Sequence, residues 1–160
     1  MLTKEIVNNL FYYKDGVLYW KNICSRRLKS GSIAGYLNEQ KYWKTSFNKK
    51  TYFNHRIIFL MHYGYLPKTI DHVNGIKTDN RIENLRAVTT SQNQHNRKIN
   101  SNSSTGVKNV FWSSQSKKWG VALTVNKTNY CVGYFDNLEL AKNAAIEARN
   151  KYHGKYANHG

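Results

Sequence analysis

The sequence predicts an α+β protein built in two parts, and three observations predict it. The apolar residues fall into short runs with strand-like or helix-like spacing, the longest being Ile57-Ile58-Phe59-Leu60-Met61. A stretch almost devoid of apolar residues, Asn100-Ser101-Asn102-Ser103-Ser104-Thr105-Gly106, interrupts the chain and reads as a linker. Beyond it, three strand candidates are followed by one Ala-rich helical segment. The expected division is residues 1–100, a linker at 101–105, and a second unit at 106–160.

Along the first part, Leu2, Ile6, Leu10 and Tyr13 stand near helical spacing, which predicts a short helix within residues 1–13. A strand is expected at Gly16 to Trp20 after an Asp15-Gly16 turn, then a basic loop carrying Arg26, Arg27 and Lys29. Tyr42 to Phe47 and Thr51 to Phe53 flank Asn48-Lys49-Lys50, a hairpin pattern. Arg56 to Tyr63 crowds apolar residues helically, and Gly64 is placed to end that helix. In the second part the strands are Val107 to Trp112, Trp119 to Val125 and Tyr130 to Phe135. The helix is Leu138 to Tyr152, with a small apolar face of Leu140, Ala141, Ala144, Ala145 and Ala148 suited to packing on a sheet.

Charge narrows the function. The 160 residues hold 25 Lys+Arg against 9 Asp+Glu, a formal net charge of +16. Residues 1–100 contribute 17 basic and 6 acidic residues, and residues 101–160 contribute 8 and 3. A positive field on both parts attracts a polyanion, and nucleic acid is the densest one a soluble protein meets. The 12 Tyr, 6 Phe and 4 Trp supply core despite the polar composition. No apolar run is long enough for a bilayer span and the N-terminus shows no secretory pattern, so a cytoplasmic location and no membrane partner are expected. Cys24 and Cys131 form no CxxC pair, which excludes a four-cysteine zinc site and argues against a disulfide framework.

The chemistry-bearing segment runs from Ile70 to Asn93. Asp71 and His72 should end a strand, Asn74-Gly75 should open a polar loop, and Leu85 to Val88 should form a second strand. Thr89-x-x-Gln92 is a capping-box pattern, so a helix should start there and carry Asn93 and Asn96. Phosphodiester hydrolysis needs an activated water and neutralisation of the phosphorane's charge. An Asp carboxylate and an Asn carbonyl are hard oxygen ligands for magnesium or manganese, and an imidazole can take the water's proton near neutral pH. The residue types suffice for that reaction. The spacing alone is equally compatible with turn chemistry for the Asn residues and a surface role for His72.

The run Asp71-His72, Asp79-Asn80-Arg81, Asn84-Leu85-Arg86, Asn93 and Asn96, with His55-Arg56 upstream, closely resembles the HNH homing endonucleases of bacteriophages over roughly residues 10–100. The resemblance implies a ββα-metal finger that cuts double-stranded DNA. His72 would be the general base, and Asp71 and Asn93 would hold one Mg2+ or Mn2+. Asn84 would steady the loop and the orientation of His72. Asn93 stands where many members have His, which favours these metals over tight zinc binding. His55 would support the site or pack at the hairpin-to-helix junction. Arg56, Arg81 and Arg86 would clamp phosphates, though Arg81 and Arg86 could instead pair with Glu83.

Residues 106–157 resemble the DNA-binding domain of plant ethylene-response factors. The residues that carry this are Gly106-Val107, Trp112, Lys118-Trp119-Gly120-Val121-Ala122-Leu123, Val132-Gly133-Tyr134-Phe135-Asp136, the Ala-rich helix and Gly154-Lys155-Tyr156-Ala157. The resemblance implies a three-stranded sheet packed on one helix. Phe111, Ser113 and Gln115 stand where the plant domains carry Arg, leaving Lys108, Trp112, Lys117, Lys118 and Lys127 as candidate DNA contacts. Trp119 and Phe135 read as core, and His95, His153 and His159 as surface residues. The expected whole is a monomeric nuclease joined to a DNA-binding module. A DNA-binding regulator with an inactive nuclease fold, or a structure-specific or RNA-directed nuclease, remain as alternatives.

Overall fold

A computed structural model describes residues 2–22, 29–96, 99, 103–125 and 128–159. Cys24, Arg26, Arg27, Lys127 and residues 101–102 of the expected linker lie outside the described residues, as does the side chain of His95. The chain forms two compact units, Met1–Val88 and Thr89–Gly160, so the first residues of the capping-box helix group with the second unit. The structure is mixed α/β, with several small antiparallel sheets. Among the described residues no helix is long and apolar enough to cross a membrane.

The first unit begins with α1 (Lys4–Leu10), capped by Thr3, whose hydroxyl accepts from the Ile6 N–H at 3.3 Å. The helix is shorter than its spacing suggested. Phe11 leaves it in extended conformation and opens β1 (Phe11–Lys14), so Tyr13 lies on a strand. Its partner is β2 (Val17–Trp20), joined through Asp15 and Gly16, both at positive φ (49° and 84°), the pair a tight type I′ hairpin requires. The short strand β3 (Tyr36–Leu37), unforeseen in the sequence, pairs with β4 (Trp43–Phe47). That strand pairs in turn with β5 (Lys50–Phe53) through Asn48 and Lys49, also both at positive φ. Helix α2 (Asn54–Tyr63) follows at once and ends on Gly64 in the left-handed conformation. The hairpin of β6 (Thr69–His72) and β7 (Leu85–Val88) completes the unit, with a 3-10 turn at Ile82–Asn84 leading into β7.

One core holds these pieces. Val7 of α1, Phe11 of β1, Leu18 and Trp20 of β2, Phe47 of β4 and Ile57 to Leu60 of α2 are all buried, together with Ile70 and Leu85 of the β6–β7 hairpin. Fully burying such side chains contributes about 1.5–3 kcal/mol each. Ile70 and Leu85 therefore bolt the hairpin that carries Asp71 and His72 to the rest of the unit.

The second unit starts with α3 (Thr90–His95), where Thr89 and Gln92 form both halves of the capping box. Then come β8 (Val110–Ser113), β9 (Lys118–Val125) and β10 (Thr128–Phe135), in sheet order β10-β9-β8. Helix α4 (Leu138–His153), capped by Asn137, packs Ala141 and Ala145 against Val110 and Val121. Trp119 and Phe135 are partly buried against that core. His153, expected on the surface, is 7% exposed at the end of α4.

A buried polar knot fixes where α2 begins. Asn54 is 3% exposed and Thr45 fully buried. Asn54 Nδ2 donates to the Ala34 carbonyl at 2.8 Å, and the Thr45 hydroxyl lies 2.6 Å from Asn54 Oδ1. Asn54→Ala would remove two hydrogen bonds of the knot and leave the Thr45 hydroxyl to donate to the Ala34 carbonyl at 3.0 Å. Each such bond contributes about 0.5–1.5 kcal/mol net, so the two together are worth about 1–3 kcal/mol. A urea titration of the variant should show a loss of that size, and an unchanged midpoint would remove the knot from the account.

Candidate functional site

The register of the β6–β7 hairpin sets the site. Asp71 stands opposite Arg86, and His72 opposite Leu85. Successive strand residues face opposite ways, so Asp71 meets Arg86 across one face while His72 turns with Leu85 to the other. Arg86 donates through Nε (2.9 Å) and Nη2 (2.8 Å) to Asp71 Oδ2, a charge-assisted pair with both side chains largely covered. Asp71 and His72 are 8% and 6% exposed. Both sit at the C-terminal end of β6, where the chain breaks into the loop of residues 73–81.

That loop is closed by side chains. The Asn84 amide nitrogen donates to Asn74 Oδ1 (3.0 Å) and to the Asp79 carbonyl (2.8 Å), while Asn84 Oδ1 accepts from the Asn74 N–H (3.0 Å). Asn74 Nδ2 donates to Asp79 Oδ2 (2.7 Å), and Asn74 Oδ1 accepts from the Ile76 N–H (2.9 Å). The Arg81 side chain forks onto both Asp79 oxygens at 2.8 Å. Hydrogen bonding from Arg81, with help from Asn74, holds the Asp79 carboxyl well below the usual carboxylate range. Asn84 thus ties the loop, whereas the His72 ring is hydrogen-bonded to Asn80: Nε2 lies 3.0 Å from Asn80 Oδ1.

The β1–β2 hairpin braces the same loop from behind. The Ile82 N–H donates to the Tyr13 hydroxyl at 3.1 Å. The Gly16 backbone lies so close that a Cβ there would stand 2.9 Å from the Arg81 nitrogen, so only glycine fits this turn.

Around His72 lies a cluster of rings that the sequence did not single out as one. His55 meets His72 edge-on at 5.2 Å between centroids, stacks on Phe53 at 5.4 Å, and lies 5.7 Å from Tyr42, which is 6.3 Å from His72. Burial, then the Asp71 charge, raises the Tyr42 phenol, so it stays protonated. Lys77 Nζ sits 4.9 Å from the Tyr42 ring centroid and donates to the Gln40 carbonyl. Tyr42 gave no signal because it lies thirty residues upstream of His72, in a hairpin with no chemical motif.

The other sequence-predicted residues are distributed as follows. Arg56 donates to the Pro67 and Lys68 carbonyls, and Arg81 and Arg86 pair with Asp79 and Asp71 rather than Glu83. Asn93 lies half-buried on α3, in the second unit. In that unit Lys117 is exposed at positive φ in the β8–β9 turn, Lys118 pairs with Asp136 at 2.9 Å, and Lys108 is half-buried. Trp112 packs edge-on against Trp119 at 4.9 Å, on the side of the sheet that meets α4. The open face instead carries Phe111 and Tyr134, which meet edge-on at 6.4 Å beside Gly120. Among the described residues no three His, Cys, Asp or Glu side chains converge as a metal site. The donors suggested by the resemblance, one carboxylate and one amide oxygen, fit a hard cation that keeps water and phosphate ligands.

Burial, then the neighbouring His72 and Arg56, lowers His55 from 6.5 to about 3. The folded state therefore binds fewer protons than the unfolded state between those values. The His55 contribution is fully present above about pH 6.5 and is lost as pH falls towards 3. Urea midpoints measured from pH 7 to pH 4 should fall for the native chain. His55→Phe should flatten that fall by up to a few kcal/mol; an identical slope in the variant would contradict the burial of a neutral imidazole.

Residues 52–95 match the family model described as HNH endonuclease. Protein 3.8 of Escherichia phage T7 is 27% identical over 96 residues, covering 59% of this chain and 78% of that protein. No solved structure matches. The segment that builds the β6–β7 hairpin and its loop is thus similar to an HNH endonuclease domain, which at the level of the family is a nuclease acting on DNA.

Proposed function

We propose that the chain is a metal-dependent endonuclease of the homing or nicking type that hydrolyses double-stranded DNA. One observation carries the reading: a nearly buried imidazole, hydrogen-bonded to Asn80, follows directly along β6 from a carboxylate fixed by Arg86, at the mouth of a loop closed by Asn84. The order β6, β7, α3 is that of a ββα finger.

His72 takes the proton from the attacking water. Asp71 is the anchored oxygen ligand, with Asn93 its fellow in the resemblance. When bound there, one Mg2+ or Mn2+ would offset the charge that grows on the phosphate oxygens. Arg86 orients Asp71, so its contribution to a phosphate contact is made from within that pair. Asn84 acts on the loop rather than on substrate. Arg56 and Arg81 stand near the unit's surface for phosphate contact, Arg81 through a guanidinium that also anchors Asp79.

The second unit, a three-stranded sheet backed by α4, supplies DNA affinity in the manner of the ethylene-response-factor domains. Lys108, Lys117, Lys118 and Lys127 are its phosphate contacts. Trp112, 49% exposed beside Trp119, and the open-face rings Phe111 and Tyr134 are its aromatic surfaces for bases. The set His72, Asp71 and Asn84 favours a working nuclease over a regulator with an inactive fold.

His72→Ala separates the two. General-base catalysis supplies about 10²–10⁴-fold in rate. The variant should lose that much in cleavage of duplex DNA while binding the same duplex with unchanged affinity. Cleavage at the native rate by the variant would remove His72 from the chemistry.

A further inference from the structure

We propose that Asn80 is the positioning residue of this site: its buried amide oxygen fixes His72 as the Nε2–H tautomer and puts the reactive lone pair on Nδ1. The inference rests on the reading of His72 as general base and names the nitrogen that does the work.

Asn80 is 3% exposed and its Oδ1 lies 3.0 Å from His72 Nε2. An amide oxygen only accepts, so the proton of a neutral imidazole facing it belongs on Nε2. The other nitrogen then carries the lone pair. Reversing the tautomer would set two lone pairs against each other in a buried site. The acceptor can impose this because its own backbone is held from three sides. The Asn80 N–H donates to the Thr78 carbonyl at 3.2 Å, and the Asn84 amide ties the preceding Asp79 carbonyl. The Gly16 backbone packs on the Asn80–Arg81 peptide, leaving no room for a Cβ.

The two asparagines therefore divide the labour. Asn84 shapes the loop, and Asn80, four residues earlier, converts that shape into a protonation pattern on His72. Asn80 itself acts only through the imidazole. A base presented in the wrong tautomer keeps its place but not its function, which in triad hydrolases costs about 10⁴ in turnover.

The test is the imidazole ¹⁵N spectrum of the full-length chain in mildly alkaline buffer, with the His72 signals identified by their absence in His72→Ala. The native chain should show a protonated Nε2 and an unprotonated Nδ1. Asn80→Leu, close in volume but without an acceptor, should mix the tautomers. It should also lower kcat by about 10–10²-fold, less than the full loss of the about 10²–10⁴-fold that general-base catalysis supplies, while leaving KM for duplex DNA unchanged. Asn80→Asp, which still only accepts, should restore both the spectrum and most of kcat. If Asn80→Leu does not fold by circular dichroism, Asn80→Asp decides alone, and loss of the Nε2–H signature in it overturns the proposal. So does a native spectrum with the proton on Nδ1, or an Asn80→Leu chain that keeps both tautomer and kcat. Native-rate cleavage by His72→Ala alongside the expected spectra would instead overturn the general-base reading and leave the tautomer assignment standing.

Discussion

The amide of Asn84 is the constraint on which the rest of the candidate site depends. Its nitrogen reaches Asn74 Oδ1 and the Asp79 carbonyl, and its oxygen takes the Asn74 N–H. Three hydrogen bonds from one side chain close a twelve-residue excursion between β6 and β7. With both ends of the loop fixed, Asn80 meets His72, Arg81 meets Asp79, and the register that sets Arg86 against Asp71 is held at its open end. None of these contacts is regular secondary structure. Replacing one side chain that bonds backbone on both sides of a loop frees many degrees of freedom at once, and fixing a residue's backbone costs roughly 1–2 kcal/mol each.

The loop is stable because it leans on a core built elsewhere. The β1–β2 turn reaches it through Gly16 and the Tyr13 hydroxyl, and Ile70 and Leu85 root its two strands beside Ile57 and Phe47. Residues some sixty positions upstream thus fix the placement of the chemistry. The same packing explains the neutral, buried His55: α2 delivers it under His72 among Phe53 and Tyr42, where a charged imidazole would be poorly solvated.

Much of this was legible in the sequence, and the reasons are local. Asp15-Gly16 announces its hairpin because both positions need positive φ. Gly64 announces the end of α2, and Thr89-x-x-Gln92 the start of α3. The Asp71-His72 pair and Asn84 stood out through the resemblance, since their spacing alone is equally compatible with turn chemistry. What was not legible depends on contacts across the chain. Tyr13 shares helical spacing with Leu10, yet tertiary pairing with Leu18 draws it into β1. Tyr42 and Asn80 approach His72 only after folding. The pairing of Arg86 with Asp71 rather than Glu83 follows from strand register, which composition cannot give. Alternation along β8 sets the Trp112 ring against Trp119 on one face and Phe111 near Tyr134 on the other, a pairing that strand register decides.

The central claim is that this loop and hairpin form a hydrolytic centre for DNA that works with a bound hard cation. The most direct measurement is the conversion of supercoiled plasmid by the purified full-length chain, in magnesium and in the same buffer with excess chelator. The account predicts nicked or linear product with magnesium and intact supercoil with chelator. Equal conversion in both, or intact plasmid in both while the chain is folded and bound to it, would contradict the account.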